Sequence, residues 1–272
     1  MLAELFTMIG KARAVRREKK LSRVEFEQAK LAKFRRLARH VRTRSPYYRR
    51  IIAERNIDVD RCNPSDFPVL TKSLLMQHFD EIVTARGVTK QAIAEFLTRS
   101  HDPRELFHGK YRVIHTSGSS GEVGYFVYSP QDWIRGTYRS MGSQGRPQRK
   151  RKGKFRLAYY AAIDGHYAGV TMFRSFERGL VRLFVEMRCF EVNSPLPEIL
   201  AGLNEFQPDV LTGYTTALKI LAEKQRTGEL KLEHLIAIGT AGEAASDADR
   251  ALLERAFGCP HVNGYGSSEH LM

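Results

Sequence analysis

Residues 235–264, LIAIGTAGEAASDADRALLERAFGCPHVNG, decide the fold. Leu235–Thr240 is a short apolar run followed by small residues, and it reads as a buried strand. Asp247–Phe257 carries apolar residues at helical spacing. It stops at Gly258, a residue type that accepts the left-handed turn closing many helices. His261–Gly264 then reads as a second strand. A strand, a helix and a strand in about thirty residues make up a parallel crossover.

The same alternation extends toward the amino terminus. Thr216–Gly228 reads as a helix, residues 209–214 (DVLTGY) as a strand and Pro195–Phe206 as a helix. Residues 155–163 (FRLAYYAAI) and 181–187 (VRLFVEM) read as buried strands separated by a glycine-containing helical stretch. Further back, YRVIH (111–115) and YFVYS (125–129) are strand candidates, and Trp133–Met141 reads as helical. The fold class expected is α/β, with mostly parallel sheet flanked by helices. Residues 106–272 make up this α/β part.

The first hundred residues have another texture. Apolar positions Val24, Leu31, Phe34, Leu37, Val41, Tyr48 and Ile51 recur at helical steps with arginine and lysine between them. Ser22 and Glu25 stand at capping-box spacing, and Pro46 divides one long helix from a shorter one. Thr71–Phe79 and Gln91–Phe96 predict two more helices. Residues 1–105 therefore read as a helical, basic layer leading into the α/β part.

The chain has 272 residues and a formal net charge of +14, with 42% hydrophobic and 27% charged residues. That composition excludes a wholly disordered chain. The charge is concentrated. Lys11–Arg55 holds 17 Lys/Arg against 4 Asp/Glu, and Arg135–Arg156 holds 9 with no acid, so the remainder is acidic. Two basic segments on an acidic body suit nucleic acid, an anionic membrane surface or a polyphosphate ligand, and equally a solvated helical face. The run 142–153 (GSQGRPQRKRKG) predicts a mobile exposed loop. Cys62, Cys189 and Cys259 lie far apart without a CxxC pair, as in a protein with reduced thiols in the cytoplasm. No apolar run approaches the ~18 residues of a spanning helix.

Three windows could carry chemistry. Thr116-Ser117-Gly118-Ser119-Ser120-Gly121 joins two strands, and its backbone N–H groups and hydroxyls suit phosphate oxygens. It is neither a Walker loop nor a dinucleotide fingerprint, and an ordinary hairpin loop fits it too. Gly242, Glu243 and Ala244 follow the strand 235–240. They leave a shallow slot, or simply make a tight turn with Glu243 in the first turn of the next helix. Asn263, Gly264, Tyr265, Gly266, Ser267, Ser268 and Glu269 place an aromatic ring between glycines, then hydroxyls and a carboxylate. At a strand's carboxyl end such a group suits a stacked base and a magnesium ion, or else a solvated turn.

Taken in order, TSGSSG, LTGYTTALKILAE, GTAGEA and AFGCPHVNGYGSSE resemble the adenylate-forming (AMP-binding) superfamily. The branch they resemble is the phenylacetate-CoA ligase-like and CapK-like one, and SPYYRRII and FPVLTKSLL are similar to its helical lead-in. The resemblance runs from about Phe26 to Met272. It implies a ligase that activates a small carboxylic acid with ATP and Mg²⁺ to an acyl-adenylate, then passes the acyl group to a thiol such as coenzyme A. It implies that Thr116–Gly121 holds phosphates, with Thr116 among the catalytic residues, that Gly242, Glu243 and Ala244 line the adenine pocket, and that Asn263, Tyr265, Gly266 and Ser268 contact the nucleotide. Glu269 would be the magnesium ligand, and Gly213, Tyr214 and His166 would border the acyl pocket, although a satisfied core histidine suits His166 as well. Where the superfamily often has Pro-Lys after the phosphate loop, this chain has Val123 and Gly124. Members continue beyond the equivalent of Glu269 with a ribose-binding aspartate and a lid domain carrying a catalytic lysine. On that ground the sequence is expected to be a fragment, or a shortened protein without adenylation activity. The other function classes left open are a nucleic-acid-binding or membrane-surface protein using the basic amino-terminal helix.

Overall fold

The computed structural model describes residues 20–118, 121–142, 152–177, 181–269 and 271. The chain divides into two compact units. One is helical and comprises 20–99 with the loop segment Thr116–Tyr125; the other is α/β and comprises Ser100–His115 with the chain from Phe126 onward.

In the helical unit, α1 (Arg23–Arg44) opens with the capping box read from the sequence. Ser22 Oγ accepts the Glu25 N–H while the Glu25 carboxylate takes the Ser22 N–H at 2.8 Å. Pro46 stands at the first position of α2 (Pro46–Glu54), where its missing N–H is harmless. Next come α3 (Lys72–Gln77), capped by Thr71, α4 (Phe79–Ile82) and α5 (Lys90–Arg99), the last longer than the Gln91–Phe96 expectation. Ala38, Ile52, Val59 and Cys62 form a small core with Phe34, Ile57 and Phe67. Arg35 laces it by donating to the carbonyls of Arg61 and Cys62.

In the α/β unit, β1 (Arg112–His115) and β2 (Tyr125–Tyr128) form a two-stranded sheet, and α6 (Pro130–Gly142) follows. The principal sheet has five strands, all parallel, in the order β4-β3-β5-β6-β7. They are β3 (Phe155–Ala161), β4 (Val185–Glu191), β5 (Val210–Gly213), β6 (Ala237–Ala241) and β7 (His261–Gly264). Between them run α7 (Ala168–Ser175), α8 (Val181–Phe184), α9 (Leu196–Phe206), α10 (Thr215–Thr227) and α11 (Asp247–Phe257). The mostly parallel α/β architecture is thus the one expected.

The run 181–187 departs from expectation. Its first four residues form the short helix α8, and the strand starts at Val185. Leu183 and Phe184 are exposed, Phe184 at 72%, so apolar character there does not mark a buried strand. The core of the sheet is aliphatic. Leu203, Leu211, Leu218, Leu221, Leu230, Ile238 and Leu253 are fully buried, each contributing about 1.5–3 kcal/mol of transfer free energy. Most of the basic run 142–153 lies outside the described residues.

The strand order fixes where a ligand belongs. The chain steps from β3 to β4 on one side, then returns to place β5 on the other side of β3. At such a reversal the connections leave in opposite directions, opening a crevice at the strands' carboxyl ends.

Candidate functional site

The carboxyl ends of β5, β6 and β7 bring together most of the residues singled out in the α/β unit. In register, Tyr160 of β3, Gly213 of β5, Thr240 of β6 and Asn263 of β7 form a row across four neighbouring strands. Gly213 has no room for a side chain: a Cβ there would stand 2.1 Å from the Tyr160 carbonyl oxygen. This close approach seats Tyr214, the next residue, at the mouth of the sheet, where burial pushes its phenol up.

Beyond β6 the chain turns at Gly242, whose φ of +83° is a left-handed conformation that glycine adopts without strain. A Cβ on Gly242 would press on the Tyr214 ring at 3.2 Å. Bare backbone therefore packs directly on the aromatic ring, so the slot expected beside Gly242 is filled by Tyr214. Glu243 does not open the next helix. That helix begins at Asp247, under a capping box of Ser246 and Asp249. The Glu243 carboxylate instead accepts the Thr216 N–H at 2.8 Å and the Thr216 hydroxyl at 2.9 Å. It thus satisfies an orphan N–H in the first turn of α10. Ala244 is exposed beside it.

A polar chain links buried His261 and Thr240 to the exposed Asn263 at the ends of β6 and β7. The Thr240 hydroxyl donates to Asn263 Oδ1 at 3.2 Å and lies 2.7 Å from His261 Nε2. With the hydroxyl proton given to Asn263, His261 Nε2 is the donor, which sets its tautomer. Tyr265 follows, 79% exposed, with its ring open to solvent beside Gly264 and Gly266.

The turn carrying Ser268 and Glu269 is held from two sides. Tyr128 of β2 donates its hydroxyl to the Ser268 carbonyl. Leu271 is buried against Ile114 and Trp133, and a Cβ on Gly136 of α6 would fall 2.7 Å from it. Glu269 itself is exposed, and after burial its charge is the next cause raising the Tyr128 phenol. Sequence reasoning missed Tyr128, Leu271 and Thr216. Each acts across a long sequence separation and carries no local motif.

His166 lies apart from this cluster. It is 1% exposed, with Nε2 2.9 Å from Ser100 Oγ and its carbonyl accepting the His115 N–H at 3.0 Å. Burial holds its imidazole below the usual range. Such burial is what the core-histidine alternative expects.

In the helical unit, the loop from Thr116 is closed at its base by two bonds. Thr116 N–H donates to the Gly124 carbonyl at 3.0 Å, and Gly124 N–H donates to Thr116 Oγ1 at 2.8 Å. Gly118 and Gly121 both take positive φ and are linked by an N–H to carbonyl bond of 2.8 Å. Ser117 is exposed. Ser119 and Ser120 lie outside the described residues. A surface cavity of about 590 Å³ in this unit is bordered by Arg55, Asp58, Arg61 and Ser65, none of them a predicted site residue. Among the described residues no group of three or more His, Cys, Asp or Glu side chains could hold a metal ion, and no helix is long and apolar enough to cross a membrane.

No family model matches the chain. Protein CapK of Staphylococcus aureus is 24% identical over 250 residues, covering 85% of this chain and 47% of CapK. Among solved structures, 2-hydroxyisobutyryl-CoA ligase in an open conformation with 2-HIB-AMP and CoA superposes with a TM-score of 0.65 at 19% identity, over 90% of this chain and 50% of the ligase. The same ligase in its postadenylation state with 2-HIB-AMP gives 0.66 at 20% identity, over 91% and 49%. The chain spans about half the length of the relatives it matches.

Proposed function

We infer that this chain, which carries the fold of the adenylate-forming enzymes and is related in sequence to CapK, serves ATP-dependent activation of a small carboxylic acid. In that reaction a carboxylate oxygen attacks the α-phosphorus of ATP, pyrophosphate leaves, and a thiol such as that of coenzyme A then displaces AMP from the acyl-adenylate. The observation that carries the reading is the run of three neighbouring strand ends, beginning with β5 beside the sheet's reversal point, which offer Tyr214 packed on Gly242 and the exposed ring of Tyr265.

Each residue has a role in this reading. Tyr265 supplies a ring for the adenine, and Gly242 and Ala244 leave backbone against it. Asn263, Gly266 and Ser268 border the nucleotide, and Glu243 holds the turn that carries Gly242. Thr116, Ser117, Gly118, Ser119, Ser120 and Gly121 offer N–H groups and hydroxyls to phosphate oxygens. Gly213 and Tyr214 border the acyl group, while His166, sealed against Ser100, supports the fold behind it.

A lone exposed carboxylate fits Mg²⁺, which keeps several waters and is commonly bound by one or two carboxylates together with substrate phosphates. Glu269 would hold the ion, which when bound neutralises phosphate charge. The free cysteines among the described residues support a reducing, cytoplasmic setting.

Calorimetry with ATP and MgCl₂ tests the reading, and saturable binding is expected. Tyr265→Ala, at an exposed position, should weaken it about tenfold through lost base stacking. Glu269→Gln should abolish the magnesium dependence while leaving AMP binding in place. A folded chain that takes up neither ATP nor AMP overturns the reading.

A further inference from the structure

α1 of the helical unit presents a face that the nucleotide reading does not use. Phe26, Lys30, Lys33, Leu37 and Arg44 are spaced four, three, four and seven residues apart, so they fall within one narrow arc of the helix. All five are exposed, with Phe26 at 40% and Leu37 at 55%. The stripe runs about 27 Å, at 1.5 Å per residue.

Its charge is one-sided. Between residues 20 and 55 there are 12 Lys/Arg and 3 Asp/Glu. Two of those acids are already engaged: Glu25 in the cap with Ser22, and Glu27 with Lys30. Arg39 and Arg50 are neutralised by Asp60 and Glu81. Arg44 on this stripe and Arg36 at its flank have no carboxylate partner among the described residues.

We propose that this face of α1 docks on the surface of a bilayer bearing anionic phospholipids. A phosphate-backbone partner would be satisfied by the cations alone and would leave Phe26 and Leu37 in water. A bilayer interface takes both at once, with apolar tips entering the headgroup boundary and lysine stems reaching past them to the phosphates. No described helix crosses a membrane, so the contact is one of lying on the surface.

Co-sedimentation of the full chain with vesicles tests the proposal. Binding is expected to phosphatidylglycerol-containing vesicles, not to pure phosphatidylcholine, and to fade as salt rises from ~0.1 to ~1 M. Arg36→Gln with Arg44→Gln should weaken it roughly 25-fold, at about fivefold per surface charge. Phe26→Ser with Leu37→Ser keeps the net charge and should weaken it tenfold or more through lost apolar insertion. All four positions are exposed, and circular dichroism checks that each variant is folded. Absence of binding to anionic vesicles overturns the proposal. So does a Phe26/Leu37 variant that binds as the parent does, or tighter binding to duplex DNA that ignores that substitution.

Discussion

Gly213 shows how one missing side chain can set a site. Its α-carbon sits so close to β3 that a methyl group would meet the Tyr160 carbonyl oxygen at 2.1 Å, and backbone on both sides cannot swing away. Gly213→Ala should therefore push β5 off β3, weaken the Tyr214 N–H to Tyr160 carbonyl bond, and cost about 1–3 kcal/mol as an overpacked core position. A denaturant midpoint that does not move would contradict this. The requirement could not be read from DVLTGY itself. The sequence shows a glycine at a strand's end, where a turn is the ordinary explanation. The close approach comes from a strand fifty residues away.

At the level of elements, local signals carried far. Pro46, Gly228 and Gly258 end or begin helices where the sequence placed them, because proline removes a donor and a glycine at the cap takes positive φ. What stayed hidden is how elements are tied to each other. Glu243 looks like a helix-opening acid, yet it caps α10 from a loop 27 residues later in the chain, through Thr216. Glu243→Ala should thus loosen the first turn of α10, lowering stability by about 0.5–2 kcal/mol, the range for losing a cap. Glu243→Gln keeps one acceptor and should recover most of it. Thermal denaturation of the two variants separates this from a role confined to ligand contact, in which neither would change stability. The strand assigned to 181–187 holds from Val185 but not over its first four residues, since periodicity cannot tell an exposed apolar turn such as Leu183–Phe184 from a buried one. For the candidate site, the sequence supplied the residues on β5, β6 and β7 but not the partners that aim them.

For the molecule as a whole, two buried histidines set a limit on its pH range. Burial holds both His166 and His261 below the ordinary value of 6.5. The unfolded chain therefore takes up protons near pH 6.5 that the folded chain still refuses, and stability, full above that pH, falls as pH drops below it. Chemical denaturation at pH 7.5 and 5.5 should show the lower midpoint at 5.5, with the difference reduced in His261→Gln. Equal midpoints would rule this out. Trp133 has a consequence of a different kind. It is the chain's one tryptophan, buried edge-on to Tyr128 and packed on Leu271, the two residues that pin the turn carrying Glu269. The protein thus has a built-in optical reporter, its indole emission sensing any shift of the carboxylate-bearing segment without a dye or label.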